Sequence, residues 1–230
     1  MAKLILIRHG QSTWNAANKF TGWVDVPLNH RGRQEAMQAA QKLSTYRIDL
    51  CFTSLLIRAI ETAVICLTEY RPSENKSPVL KHGLDDPYWH GWDEYEGNHN
   101  EEIPIFLSAR LDERYYGNLQ GLNKARTAET FGSELVHHWR RSFSARPPGG
   151  ESLEDTADRT IPYFKTRILN HLKSDENVLV SAHGNSLRSI VMFLDQLSQE
   201  AVCDLELMTG IPLIYDIDSA GEINHRTVLA

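Results

Sequence analysis

The sequence lacks the features that mark secreted, membrane-bound or nucleic-acid-binding proteins. Its 230 residues contain three cysteines, an odd number without a Cys-x-x-Cys pair, which argues against a disulfide framework and for a reducing cytosol. No apolar run is long enough to span a membrane, and no signal peptide follows Met1. The net charge of -6 gives no support to a nucleic-acid partner. These absences predict a cytoplasmic protein with no membrane or nucleic-acid partner.

The sequence also lacks low-complexity runs and linkers, and its composition is that of an ordinary globular protein, with 41% apolar and 23% charged residues. Apolar runs near 4–7, 48–53, 178–182 and 211–217 predict strands, and helical spacing predicts helices near 30–44, 56–67, 134–144, 152–172 and 187–194. Pro162 is expected to kink its helix. Strands that alternate with helices predict one α/β domain over residues 1–230, a three-layer α/β/α sandwich around a mostly parallel sheet.

An apolar run at the start of the chain stops abruptly at Arg8-His9-Gly10. Four consecutive aliphatic residues predict a strand that is buried on both faces, so Arg8 and His9 lie at its carboxyl end. Ligands bind beyond these ends in open α/β sheets, and Gly10 would allow the backbone to turn and approach a ligand closely. Alone, this stretch fits a surface loop equally well.

A second apolar run, 178–182, ends in the same way at His183-Gly184. Two histidines at strand ends suit either metal binding or phosphoryl chemistry. No carboxylate, cysteine or third histidine stands at ligand spacing beside either one, so no metal is predicted. Arg8 favours phosphate, because a guanidinium binds two phosphate oxygens at once and repels a cation.

These residues resemble the histidine phosphatase superfamily and, within it, the cofactor-dependent phosphoglycerate mutases. Five blocks carry the closer resemblance: Phe20-Thr21-Gly22-Trp23, Glu113-Arg114-Tyr115-Tyr116-Gly117, Leu119-Gln120-Gly121-Leu122-Asn123-Lys124, Trp139-Arg140-Arg141 and Ala182-His183-Gly184-Asn185-Ser186-Leu187-Arg188. The resemblance implies a small phosphorylated substrate and a homo-oligomer, dimer or tetramer. It also implies interconversion of 2- and 3-phosphoglycerate, in glycolysis and gluconeogenesis, through a phosphohistidine primed by 2,3-bisphosphoglycerate.

The resemblance also assigns catalytic roles. His9 is expected to be the nucleophile, because neutral imidazole is nucleophilic near pH 7 and its phosphoramidate is readily cleaved. Arg8, Arg58 and His183 would surround the phosphoryl group together with the backbone amide of Gly184. Glu113 would be the general acid, with a pKa above that of a free glutamate because nearby phosphate disfavours a second negative charge.

A further group is expected to hold the rest of the substrate. Lys124, Arg140 and Arg141 would supply positive charge for the carboxylate and the second phosphate. Adjacent arginines on a helix point about 100° apart, so both contact one ligand only at a helix end. The predicted binding set also contains Gly10, Gln11, Ser12, Thr13, Trp14, Asn15, Thr21, Gly22, Arg114, Tyr115, Tyr116 and Asn185.

Two other functions stay open at this point: a phosphatase of the same superfamily, in which water accepts the phosphoryl group, and a catalytically silent binding protein. Residues 71–110 are predicted to be an irregular, acidic and aromatic insertion. Its Trp89, Trp92 and Tyr95 are expected to form a lid or a subunit contact, because only residues 219–230 follow the last predicted strand. Its histidines, His82, His90 and His99, are too irregularly spaced to predict a metal site.

Overall fold

The computed structural model describes residues 1–69, 76–81, 97–98 and 100–229. The regular elements follow in chain order: β1 (Ala2–Arg8), α1 (Thr13–Ala16), α2 (His30–Leu43), β2 (Leu50–Thr53), α3 (Ile57–Thr68), β3 (Ser77–Lys81), β4 (Glu102–Leu107), α4 (Lys124–Phe131), α5 (Ser133–Arg141), α6 (Leu153–Tyr163), α7 (Leu169–Lys173), β5 (Val178–Ala182), α8 (Gly184–Leu194), α9 (Gln199–Asp204), β6 (Pro212–Ile217) and β7 (Ile223–Val228).

The described strands form one sheet in the order β3-β4-β2-β5-β1-β6-β7. The first five of these strands are parallel, and β6 runs antiparallel to both of its neighbours. In the register of β1 and β5, Leu4 pairs with Val178 and Arg8 with Ala182. The two strands that precede the histidines are therefore neighbours, and they end at the same level.

Alternate residues of the central strands enter two apolar cores, one on each face of the sheet. On one face, Leu4, Leu6 and Phe52 are buried with residues of α6, α7 and α8. On the other, Ile5 and Ile7 are buried with residues of α2 and α3. The strands are covered on both sides, as their continuous aliphatic runs predict. The predicted three-layer sandwich is thus confirmed.

Side-chain caps fix several helix starts close to their predicted positions. The Asn29 side chain accepts a hydrogen bond from the amide of Gly32 at the start of α2, and Ser152 and Asp155 form a capping box at α6. Beyond Pro162 the chain continues into one π-helical segment, Phe164–Ile168, before α7. The wider turn of this π-helical segment accommodates Pro162 at the position where the sequence predicts a kink.

Two predictions about irregular segments are wrong. Residues 71–110 contain β3 and β4, which extend the parallel sheet on one side. The sheet also continues beyond 211–217, because β7 pairs with β6 at the other edge. The predicted lid of Trp89, Trp92 and Tyr95 lies outside the described residues, as do His82, His90 and His99.

Candidate active site

A polar pocket of about 200 Å³ opens at the carboxyl ends of β1 and β5. The amide of His9 donates to the carbonyl of Ala182 at 3.0 Å, and the rings of His9 and His183 meet edge to face with 4.9 Å between centroids. The pocket is lined by Arg8, His9, Asn15, Lys19, Phe20, Thr21, Gly22, Arg58, Glu113, Tyr116, Lys124, Arg140, Arg141, Gly184, Asn185, Arg188, Glu206, Leu207 and Met208.

His9 is buried, and its hydrogen bonds define its tautomer. Nδ1 lies 2.7 Å from the carbonyl oxygen of Gly10. Because a carbonyl can only accept, Nδ1 carries the proton and Nε2 keeps its lone pair. Burial and the charges of Arg58 and Arg8 hold the pKa of His9 well below its usual range, although the bond to Gly10 opposes this shift. At neutral pH the ring is therefore uncharged, with Nε2 available as a nucleophile.

Arg58 lies beside that nitrogen. It is buried in the first turn of α3, donates from Nη1 and Nη2 to the carbonyls of Val24 and Gly22 at 3.0 and 2.8 Å, and places Nε 3.3 Å from Nε2 of His9. Burial lowers the pKa of Arg58 to about 10, although nearby carboxylates act to raise it. The guanidinium therefore stays charged at neutral pH. Arg8 donates to the carbonyl of Leu207 at 2.9 Å, which fixes it at the end of β1.

His183 precedes α8 and is fully buried. Its Nε2 lies 2.7 Å from Oγ of Ser54, a residue that directly follows β2. Burial and the charge of Arg58 hold the pKa of His183 well below its usual range. Three neighbouring parallel strands thus deliver both rings and the hydroxyl that orients one of them.

Glu113 extends toward the same point from the chain after β4. All three hydrogen bonds recorded for its carboxylate go to Oε1, from the amides of Arg114 and Asn185 and from Nδ2 of Asn185, at 2.8, 3.2 and 2.8 Å. Burial raises the pKa of Glu113, but these donors and the charges of Arg8 and Arg58 together bring it below its usual value. In the unliganded site the protein groups therefore favour the carboxylate, whereas the predicted upward shift refers to a site that holds phosphate.

A second cationic group lies farther along the pocket. Lys124 begins α4, and Arg140 and Arg141 are the last two residues of α5. At a helix end both arginines line the pocket, as the predicted geometry requires. Arg141 donates to the carbonyl of Cys203 and to the carboxylate of Glu206, each at 3.1 Å.

Several buried donors at the site have no hydrogen-bond partner among the described residues. They are Nε of Arg8 and Oγ1 of Thr21, which line the pocket, and the three guanidinium nitrogens of Arg114, which does not line it and has Cζ 4.7 Å from the centroid of the Tyr116 ring. Buried donors without partners are costly, and an anionic ligand with many oxygens would satisfy them. The two unpartnered donors in the pocket lining therefore fit an anionic ligand.

Seven predicted binding residues do not line the pocket: Gly10, Gln11, Ser12, Thr13, Trp14, Arg114 and Tyr115. Ser12 caps α1, and Tyr115 packs against Trp23. A Cβ on Gly10 would lie 2.2 Å from the carbonyl oxygen of Gly32, so this glycine allows close approach of α2 and not of a ligand.

Sequence reasoning missed six lining residues: Lys19, Phe20, Arg188, Glu206, Leu207 and Met208. Arg188 had a usable signal, because it lies one helical turn after Gly184 on the same helix. Residues 206–208 follow α9 in an irregular segment and carry no local pattern.

Within the described residues, no three histidine, cysteine or acidic side chains cluster in a way that would hold a metal ion. Nor does any helix in the described part of the chain have the length and apolar character needed to cross a bilayer.

Comparisons with known proteins identify the family of the chain. The family model for the histidine phosphatase superfamily (branch 1) matches residues 4–94 and 93–221. A 2,3-bisphosphoglycerate-dependent phosphoglycerate mutase of Gloeothece citriformis is 63% identical over the full length of both chains. One from Gloeobacter violaceus is 61% identical over 100% of this chain and 99% of its own.

Solved structures share the fold. YhfR of Bacillus stearothermophilus matches with a TM-score of 0.74 at 23% identity, over 97% of this chain and 95% of its own. The alpha-ribazole phosphatase of Shigella flexneri also matches with a TM-score of 0.74, at 20% identity, over 99% of this chain and 96% of its own. The family match and the two full-length relatives together show that the chain belongs to the 2,3-bisphosphoglycerate-dependent phosphoglycerate mutases of the histidine phosphatase superfamily.

Proposed function

We propose that the chain interconverts 2-phosphoglycerate and 3-phosphoglycerate through a phosphohistidine on Nε2 of His9. The observation that carries this proposal is an uncharged His9 whose unprotonated Nε2 faces Arg58, in one pocket with a second cationic group, Lys124, Arg140 and Arg141. The names of the relatives from Gloeothece citriformis and Gloeobacter violaceus support the same reaction.

In the transfer step, Nε2 of His9 forms a bond to phosphorus as the bond from phosphorus to the glycerate oxygen breaks. Negative charge then spreads over three phosphoryl oxygens. Arg8, Arg58, His183 and the amide of Gly184 stabilise this charge, and loss of one such donor costs on the order of 3 kcal/mol in barrier.

Glu113 gives a proton to the departing glycerate oxygen and takes it back when the other hydroxyl attacks. Because Oε1 accepts three N–H bonds, Oε2 is the oxygen that carries the proton. The unliganded site favours the carboxylate, and the charge of bound phosphate opposes ionisation. Glu113 thus becomes an acid only when substrate is present.

2,3-Bisphosphoglycerate would be held by the same residues, with one phosphate at His9 and the other near Lys124, Arg140 and Arg141. When bound, it supplies the phosphoryl group that primes His9. The cationic side chains provide the positive charge of the site, so the reaction needs no metal.

The protein works in the cytoplasm as a homo-oligomer, dimer or tetramer. Cys51, Cys66 and Cys203 are buried free thiols, which suits a reducing compartment.

Incubation with 3-phosphoglycerate, with and without 2,3-bisphosphoglycerate, tests the function. Phosphorus NMR should show 2-phosphoglycerate formed faster with the primer, and His9→Gln should abolish both turnover and labelling. Release of inorganic phosphate as the main product would instead identify a phosphatase. Failure to turn over any phosphate ester would identify a silent binding protein.

A further inference from the structure

Arg159, on α6 outside the pocket, makes an unusual number of hydrogen bonds to one segment of the backbone. Nη1 donates to the carbonyls of Ala109 and Arg110 at 3.3 and 3.0 Å, and Nη2 donates to those of Asp112 and Glu113, both at 3.0 Å. The side chain is only 12% exposed. One guanidinium therefore binds four carbonyls in residues 109–113, the segment that ends at the general acid.

Glu151 holds this guanidinium from the other side. Nε and Nη2 of Arg159 each lie 3.1 Å from a carboxylate oxygen of Glu151, which gives a bidentate pair. The same carboxylate accepts the amide of Tyr115 at 2.9 Å, and the amide of Glu151 donates to the carbonyl of Tyr115 at 2.8 Å. The pair thus binds the backbone on both sides of Glu113.

The carbonyl of Glu113 receives a second donor, Nε1 of Trp23, at 2.6 Å. Among the described residues, the other hydrogen bonds that orient Glu113 go to Oε1, from Arg114 and Asn185. No regular helix or strand contains Glu113, so side chains must supply the rigidity that an element would give. A shift of about 1 Å in a catalytic group can cost about a hundredfold in rate.

We propose that Arg159, held in place by Glu151, is a positioning residue that aligns Glu113 for proton transfer to the departing oxygen. The inference rests on the proposed function, because it requires Glu113 to act as the acid. Arg159 does not line the pocket and is no part of the phosphoryl-binding group. Its loss should therefore weaken protonation of the leaving group and leave attack by His9 largely intact.

Two phosphoryl donors separate these effects. Transfer from 2,3-bisphosphoglycerate to His9 expels an alkoxide, which needs a proton. Transfer from acetyl phosphate forms the same bond between nitrogen and phosphorus but expels acetate, which leaves as a stable anion without one. Loss of a residue that only positions the general acid should therefore slow transfer from 2,3-bisphosphoglycerate and not transfer from acetyl phosphate.

The experiment measures single-turnover labelling of His9 by each donor in the full chain. The variants are Arg159→Lys, Arg159→Met and Glu151→Gln, with Glu113→Gln as the reference for a lost acid. Arg146→Gln is the matched control, because Arg146 pairs with Asp155 at the start of the same helix and is exposed. The thermal midpoint of each variant shows whether it is folded.

Arg159→Met should slow labelling by 2,3-bisphosphoglycerate about a hundredfold and labelling by acetyl phosphate less than threefold, as Glu113→Gln does. Arg159→Lys should recover part of the loss, and Arg146→Gln should match the parent with both donors. Equal losses with both donors, or no loss in a folded variant, would overturn the inference. If Arg159→Met does not fold, Glu151→Gln applies the same criterion. Failure of the parent chain to label at His9 would refute the proposed function instead.

Discussion

The rings of His9 and His183 meet edge to face, 4.9 Å apart, and neither is charged at neutral pH. Burial is the largest cause of the lowered pKa in both cases, and Arg58 adds to it. Beside the two rings the positive charge thus lies on Arg8 and Arg58, and both imidazoles stay neutral. This arrangement favours the neutral, nucleophilic form of His9. It also makes the free energy of unfolding depend on pH in the acid range.

Acid should destabilise the fold below about pH 6.5, where the unfolded chain protonates its histidines and the folded chain leaves His9 and His183 neutral. A group whose pKa is lowered on folding binds fewer protons in the folded state, so the free energy of unfolding falls as the pH falls. Between pH 6.5 and 5.5, the free energy of unfolding should therefore fall by about 1 kcal/mol less in His9→Gln, which lacks one such histidine, than in the parent.

Urea unfolding at several pH values measures this difference. The pKa of Asp112, raised by burial to about 6, acts in the opposite direction, but it is present in both proteins and cancels in the comparison. Parallel pH profiles for the parent and His9→Gln would show that His9 is protonated in the folded state.

Arg141 and Glu206 should have opposite effects on substrate binding. Arg141→Gln removes a cation from the far end of the pocket and should raise KM about 10- to 100-fold with little change in kcat. Glu206→Gln removes the carboxylate that competes for Arg141 and should lower KM by at most about fivefold, because the Glu206 side chain is 69% exposed and water weakens the pair. Steady-state kinetics with 3-phosphoglycerate measure KM and kcat of both variants. A higher KM in Glu206→Gln would contradict the prediction that Glu206 competes with substrate for Arg141.

Gly32→Ala should destabilise the protein by about 1–3 kcal/mol. The added Cβ would lie 2.1 Å from the carbonyl oxygen of Gln11, and backbone there cannot move without disturbing β1 and its loop. Urea unfolding of the parent and the variant gives the two free energies of unfolding. A difference below about 0.5 kcal/mol would show that the loop adjusts.

Mutase activity should survive exhaustive treatment with EDTA. Arg8 and Arg58 at one end of the pocket, and Lys124, Arg140 and Arg141 at the other, supply the charge that a cation would otherwise supply. Activity before and after chelation is the measurement. Loss of activity that Mn²⁺ restores would contradict the prediction.

Buried elements were predictable from the sequence because burial leaves a pattern. β1 and β5 are continuous aliphatic runs, and Asn29 and Ser152 mark helix starts. The missed strands have no such pattern. β7 is a polar, exposed edge strand, and β4 contains Pro104, which ordinarily argues against a strand.

The candidate site divides in the same way. His9 and His183 were identifiable because each follows a strand, a local signal. The roles of Glu151 and Arg159 cannot be identified from the sequence, because the backbone carbonyls and amide that they bind lie 36 to 50 residues away. The lowered pKa of Glu113 was missed for a similar reason, since it depends on donors that only the folded chain brings together.

The position of β5 between β1 and β2 also governs when this site can form during synthesis. A ribosome completes β1 and β2 long before residue 178, so neither strand can pair with β5 until the last quarter of the printed sequence has been made. Contacts between residues so far apart in sequence form slowly, and unpaired strand edges invite pairing with other chains. His9 therefore gains its neighbour His183 only after nearly the whole sheet has been synthesised.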